Sequence, residues 1–191
     1  MKIASFRENP LRNPNISVYV EQAVKLIKIM TIILVMDNDC AIGKNNALLC
    51  SLPADMKRFR EVTKNSAVIM GRRTYESFPK RPLPDRENIV LSRSVKSLEG
   101  AVVFDNIEKL LKYVNTLEKK IFVIGGGDMY AQLEQYCEEA LITRVYENFD
   151  GDVFFKDIEH DPNWRLAESS PIIQTGGRNI RFFRFLRNEA D

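Results

Sequence analysis

Short apolar runs recur between residues 31 and 146, and most are separated by segments whose apolar positions follow helical spacing. Thr31–Met36 is an almost unbroken apolar run, as expected of a parallel strand buried on both faces. Pro53–Lys64 predicts a helix with proline in its first turn, where a missing N–H costs nothing. Ala67–Met70 predicts a second buried strand, Gly71–Ser77 a helix start and Ile89–Ser92 a third strand. Ala101–Phe104, a helix over Ile107–Leu117 and a strand over Ile121–Ile124 continue the alternation. Gly125, Gly126 and Gly127 then open a helix over Met129–Tyr136. Beyond this point the pattern changes. Ala140–Tyr146, Trp164–Glu168 and Asn179–Arg187 predict strands with no helices between them. The order implies an α/β fold: a mostly parallel sheet with an antiparallel C-terminal end. Such sheets bind ligands outside the carboxyl ends of their strands.

The first 29 residues stand apart. Residues 1–15 are polar, hold Pro10 and Pro14, and predict an extended arm. Ile16, Val18 and Val20 alternate as in a strand, whereas Ala23, Val24, Ile27 and Lys28 follow a helical spacing. The division expected is an extension, 1–29, and a domain, 30–191. If the extension is ordered, Ile16, Val18, Val20 and Val24 should be buried. It would then pack on a sheet edge or mediate self-association; otherwise it is the by-product of an upstream start codon.

Composition narrows the field. The chain has 191 residues, 45% of them apolar and 28% charged, enough for one domain with a core. A net charge of +2 argues against a general nucleic-acid or membrane-surface partner. Cys40, Cys50 and Cys137 form neither a disulfide framework nor a zinc spacing, which suits a reducing cytoplasm. No apolar run is long enough to span a bilayer, and Glu8, Pro10, Arg12 and Pro14 interrupt any signal-peptide core.

Candidate chemistry gathers at strand ends. Asp55 lies among Leu48, Leu49, Cys50, Leu52 and Phe59. A carboxylate on the buried side of a first helical turn loses several kcal/mol of solvation unless a partner compensates it. The neighbouring sequence offers no evident partner, which points to a ligand. Taken alone, a carboxylate complementing a helix dipole is the simpler explanation. The Gly125–Gly127 turn, between a strand and a helix, lets a ligand approach bare backbone at an anion-favouring terminus. Arg72, Arg73 and Thr74 form a second such turn, which alone would pass for a solvated basic loop. His160 lies in a turn-like segment and is expected to be exposed and inert.

Five segments in order carry a family resemblance: Ile42-Gly43-Lys44-Asn45-Asn46, Leu52-Pro53-Ala54-Asp55, Val68 through Ser77, Arg81-Pro82-Leu83-Pro84 with Arg86-Glu87-Asn88, and Val123-Ile124-Gly125-Gly126-Gly127. Each is weak alone; their order and spacing resemble dihydrofolate reductase from about Met30 to the C-terminus. The resemblance implies a central, mostly parallel eight-stranded sheet with an antiparallel C-terminal strand, flanked by about four helices. It also implies NADPH as hydride donor and 7,8-dihydrofolate as substrate.

Residue by residue, the resemblance makes Asp55 the acceptor of two N–H donors on the amidine-like edge of a pterin, as from arginine. Asp55 would also favour protonation of the ring nitrogen beside the carbon that receives hydride. It lies across the ring from that nitrogen, so its help is electrostatic and water-mediated. Thr143 would set its hydroxyl against Asp55 and the pterin, although its local sequence describes an ordinary β-branched strand residue. Ile33, Leu34, Val35, Cys50 and Ile124 become substrate contacts. Phe59, one turn after Asp55, would pack on the aminobenzoyl ring. Phe78 and Leu83 would line the channel to Arg86, whose planar guanidinium suits the substrate's glutamate α-carboxylate.

On the cofactor side, Arg72, Arg73 and Thr74 fit the pyrophosphate and the 2′-phosphate. Ser92 and Arg93 would clasp the same 2′-phosphate, and paired arginines select NADPH over NADH. Gly125, Gly126 and Gly127 admit the dinucleotide, with a cis peptide between the first two in the family pattern. Tyr130 borders the nicotinamide. Val35, Ile42, Gly43, Leu48, Gly71, Ser77, Leu91, Ile124, Asp128 and Met129 complete the cofactor contacts. Asp150-Gly151-Asp152 resembles the loop that meets the lid over the site.

Three positions depart from the pattern. Leu49 and Cys50 stand where the family has proline and tryptophan, which enlarges the pocket and loosens the lid near Leu48. Val35 stands where the family has alanine and adds bulk. Together they suggest a reshaped pocket that binds small antifolates differently. The primary expectation is an NADPH-dependent dihydrofolate reductase, monomeric and cytoplasmic. A pyrimidine reductase of riboflavin synthesis shares the fold but has no use for Arg86. A non-catalytic homologue would explain Cys50 but not the retained Asp55.

Overall fold

The computed structural model describes residues 29–189. The alternation predicted from Thr31 onward is present. In chain order the elements are β1 (Met30–Met36), β2 (Ala41–Gly43), α1 (Pro53–Thr63), β3 (Ala67–Gly71), α2 (Arg72–Ser77), β4 (Glu87–Leu91) and β5 (Ala101–Phe104). They continue with α3 (Ile107–Thr116), β6 (Ile121–Gly125), α4 (Gly127–Leu133), a 3-10 turn (Glu134–Tyr136) and β7 (Cys137–Val145). β8 (Val153–Phe154), β9 (Trp164–Ser169), β10 (Ile173–Thr175) and β11 (Arg178–Arg187) complete the set.

The main sheet runs β10–β11–β7–β1–β6–β3–β4–β5, with β9 also paired to β11. β9 and β10 share the outer edge of β11, so nine strands fill the eight positions expected. β1, β3, β4, β5, β6 and β7 pair in parallel, and β11 runs antiparallel to β7. The helices divide between the faces. Leu110 and Val114 of α3 and Met129, Tyr130 and Leu133 of α4 pack with Met30, Ile32, Leu34 and Met36 of β1. On the other face, Phe59 and Val62 of α1 and Tyr75 of α2 pack with Ile33, Val68, Met70 and Leu141. Burial of β1 on both faces is what excludes charged residues from this run.

Some boundaries differ from the sequence reading. The predicted helix ending at Tyr136 stops at Leu133 and tightens into the 3-10 turn. β7 starts at Cys137, three residues early, and its pairing with β1 shifts register between Met30 and Thr31. β2 and β8 form a separate two-stranded sheet, too short to leave an alternating pattern. Ile16, Val18, Val20 and Val24 lie outside the described residues. Among the described residues no helix is long and apolar enough to cross a membrane.

Candidate functional site

α1 begins over the carboxyl ends of β1 and β7. Its N-cap residue Leu52 has no capping side chain; instead the Ala54 N–H donates to Thr175 Oγ1 at 3.1 Å. This cap comes from β10, at the far end of the sequence, and fixes the first turn that carries Asp55. Cys50, Val35, Ile42, Leu48, Leu49, Leu52, Asp55 and Met56 line one pocket there. Val35, Leu49 and Cys50, which the resemblance singles out as departures, thus lie in the same pocket as the carboxylate.

Thr143 is buried on β7 and donates from Oγ1 to Asp55 Oδ1 at 2.6 Å. Arg58, three residues after Asp55 on α1, holds Nη1 3.5 Å from the same Oγ1. Its guanidinium carbon stands 4.5 Å from the Phe182 ring centroid. Asp55 thus has two partners within the protein: Thr143, which the resemblance sets against it, and Arg58, which the sequence reading passes over. One partner is distant in sequence and the other is one turn away, at the i+3 position that shares a helix face. Burial raises the Asp55 carboxyl above its ordinary value; the Thr143 hydrogen bond and the Arg58 charge act against that rise. Burial likewise raises the Cys50 thiol, so this thiol is protonated near neutral pH.

The other substrate candidates fall in two places. Phe59, Phe78 and Leu83 join the apolar cluster that includes Ile33 and Ile124. Arg86 spans this wall: Nε donates to Pro84 O at 2.8 Å, Nη1 donates to Thr63 Oγ1 at 3.1 Å, and the guanidinium stands 5.8 Å from the Phe59 ring. Leu34 is the exception. Strand alternation turns its side chain to the opposite face, into the core with Ile32 and Met36. A contact from Leu34 to a ligand in this cleft is left to its backbone.

Across the sheet, α2 and the glycine turn lie side by side: a Cβ on Gly126 would come within 3.4 Å of Thr74 Oγ1. Gly125 has φ of 117°, where side-chain-bearing residues are rare, and a Cβ there would meet the Tyr130 hydroxyl at 3.2 Å. The Gly125–Gly126 peptide is cis. Tyr130 is buried and donates to Ile33 O at 2.9 Å, tying α4 to β1. Met129 is buried against Gly71, and Asp128 is exposed. α2 has six residues and α4 seven, so what this turn offers an anion is guanidinium groups and bare backbone more than a helix dipole. Arg72, Arg73, Glu76, Ser77 and Asn46 line an open groove. Arg72 Nη1 is 2.6 Å from Glu76 Oε2, whereas Arg73 is exposed. At the end of β4, Leu91 packs on the core, Ser92 is buried beside Ser94 and Arg93 is exposed.

The segment after β1 closes over the cleft. Asp37 is fully buried and accepts the N–H groups of Asp39, Ala41 and Phe149. Lys44 pairs with Asp150 at 2.6 Å, and the Asn45 N–H donates to Asp152 Oδ2 at 2.9 Å. A Cβ on Gly151 would meet Ala41 Cβ at 2.5 Å, so the chain crossing at Gly43 requires glycine there. His160 is exposed and pairs with Asp157. Arg58, Thr175 and Asp37 are contributors that the sequence reading does not single out; of these, only Arg58, at i+3 from Asp55, leaves a local signal.

Comparison with known proteins agrees with this arrangement. Residues 29–187 match the family model described as dihydrofolate reductase. The dihydrofolate reductase of Bacillus subtilis is 36% identical over 141 residues, covering 73% of this chain and 82% of that protein. That of Haemophilus influenzae is 39% identical over 127 residues, covering 66% and 76%. A solved structure of the Enterococcus faecalis enzyme, complexed with NADP(H) and RAB-propyl, superposes with a TM-score of 0.77 at 29% identity, covering 84% of this chain and 97% of that one. The carboxylate cleft, the glycine turn and the basic groove thus occur in a chain that belongs to the dihydrofolate reductase family.

Proposed function

We propose that this protein reduces 7,8-dihydrofolate to 5,6,7,8-tetrahydrofolate with NADPH, supplying one-carbon metabolism and thymidylate synthesis. The observation that carries this reading is the half-buried Asp55 carboxylate, hydrogen-bonded to Thr143 inside an otherwise apolar pocket. A neutral or cationic ligand with two adjacent N–H donors matches its free oxygen positions. A pterin has such an edge.

The residues of the opposite wall fit NADPH. Arg72, Arg73, Thr74 and Ser77 offer donors for phosphates, and Gly125–Gly127 offers backbone without side chains. Bound NADPH supplies the hydride. Asp55 orients the pterin edge, and from across the ring its negative charge favours protonation of the ring nitrogen, with water delivering the proton. Thr143 fixes the carboxylate's rotamer. Phe59, Phe78 and Leu83 hold the aminobenzoyl ring, and Arg86 uses its remaining N–H donors for the glutamate carboxylate. The lid segment, tied at Asp150 and Asp152, excludes water from the reacting edge. Positioning and a fixed polar environment account for most of the acceleration.

The same proposal assigns residues 30–191 to the catalytic domain and 1–29 to an extension, and places a monomer in the cytoplasm. Cys40, Cys50 and Cys137 are all free, which suits a reducing compartment. Cys50 and Val35 reshape the pocket without removing it. The test is direct: mixing protein, NADPH and dihydrofolate should consume NADPH absorbance. Tight NADPH binding without turnover would instead favour a non-catalytic homologue.

A further inference from the structure

Arg58 has no role in the reading above, yet it is the one cation among the described residues whose charge acts on Asp55. Its position is set twice. It shares a helix face with Asp55, and it stacks on Phe182, the cross-strand partner of Thr143. The hydroxyl it approaches and the ring it covers are therefore neighbours on one sheet face. The hydrogen-bond logic follows from the chemistry of the groups. A guanidinium has only donors, and a threonine hydroxyl has a single proton. With Arg58 Nη1 donating to Oγ1, that proton is directed to Asp55 Oδ1, and the three groups form a chain running Arg58, Thr143, Asp55. Each bond in such a chain polarises the next.

We propose that Arg58 is a positioning residue of this site, acting through Thr143 to keep the Asp55 carboxylate ionised and aimed into the pocket before a ligand arrives. The inference rests on the reading of Asp55 as the group that holds the pterin. The surrounding groups leave this role to Arg58. From the segment before α1 the Cys50 thiol is near Asp55, and from α4 the Tyr130 phenol; burial keeps both protonated near neutral pH. On its other side Arg58 faces Glu139 of β7. Glu139 is already bound by Arg184 Nε at 2.5 Å and by Thr31 Oγ1 at 3.0 Å. Among the described residues the carboxylates that act on this guanidinium are Asp55 and Glu139, and of these two Asp55 is the one without another cation.

The competing account is that Arg58 only stacks on Phe182 and does nothing for Asp55. Titration of Asp55 separates the two. In protein labelled with 13C at aspartate carboxyls, the Asp55 signal is assigned by its loss in Asp55→Asn, and its midpoint pH is followed in each variant. Arg58→Met keeps a stem over the ring and removes the charge, and should raise the midpoint by about one unit. Arg58→Lys should stay close to the wild type. Thr143→Val breaks the chain with Arg58 in place, and Arg58→Met added to it should raise the midpoint by clearly less than it does alone. An unchanged midpoint in folded Arg58→Met overturns the proposal. If that variant does not fold, a wild-type midpoint in Thr143→Val overturns it instead. Retained turnover in Asp55→Asn would mark a failure of the functional reading itself, a result separate from either.

Discussion

The two walls of the cleft recognise charge in opposite ways. On the α1 wall, the carboxylate is half-buried, its rotamer is fixed by Thr143 and its helix is capped by a residue from the far end of the chain. On the α2 wall, Arg73 and Arg93 are exposed, and Arg72 is engaged with Glu76. On the proposed function, the difference follows from what each wall binds. A flat, nearly neutral edge is recognised only by hydrogen bonds held in place beforehand, away from competing water. A phosphate carries enough charge to attract flexible guanidinium groups through solvent. Preorganisation on the first wall has a cost in stability, and the second wall has an exposure to salt.

The largest effect expected is at Asp55. Asp55→Asn should lower turnover at neutral pH by about a hundredfold or more, with NADPH affinity retained. The same substitution should stabilise the ligand-free fold. Burial raises this carboxyl above 3.8 in the folded state, so the unfolded chain ionises first as pH rises. The penalty for an ionised Asp55 is then complete at neutral pH and absent well below 3.8. Thermal melts should show Asp55→Asn a few degrees above wild type at pH 7, and the gap should close in acid. A gap that persists in acid would point to relief of packing strain, not of buried charge.

Next comes Arg86. Arg86→Leu should raise KM for dihydrofolate about ten- to a hundredfold, the range of a charge-assisted hydrogen bond, with little change in kcat. A dihydropterin without the glutamate tail should not distinguish the variant from wild type. If it does, Arg86 acts by shaping the wall at Phe59 and Thr63 and not by binding the tail. Cys50→Trp follows, since it adds an aromatic surface to the pocket of Val35 and Asp55. It should tighten binding of a small 2,4-diaminopyrimidine antifolate about tenfold. Equal affinity in both proteins would remove Cys50 from the account of how this pocket differs from its relatives.

The contrast between the walls also explains what could be read from the sequence. The strands of the sheet were legible because burial on both faces forces long apolar runs, as in β1. Asp55 was legible because a charge among leucines is anomalous. Its partners were harder. Thr143 looks like any strand residue, and nothing local announces that β7 brings it beside α1. Arg58 was visible at i+3 but resembles the other cations of α1, Lys57 and Arg60; only the sheet decides which of them turns inward. The Thr175 cap and the β2–β8 pair join segments too distant or too short for periodicity to show. Leu34 was assigned to the ligand by family position, where alternation along β1 places it on the other face.

The smallest effects, and the sharpest test of the solvent-facing wall, concern Arg73, Arg72 and Glu76. Exposed ion pairs are worth ~0.2–1 kcal/mol, so Arg73→Ala should weaken NADPH about two- to fivefold and leave NADH unchanged. Arg72→Ala should cost less, because its guanidinium already shares its charge with Glu76 at 2.6 Å. Glu76→Ala then carries the opposite sign. It frees Arg72 and removes a carboxylate from the groove, so NADPH should bind more tightly, by a similar factor. Raising ionic strength should shrink all three differences, since these charges lie where salt screens them, while the affinity contributed by the half-buried Asp55 should change less. If Glu76→Ala weakens NADPH instead, Glu76 serves to hold Arg72 in a binding geometry, and this wall is preorganised after all.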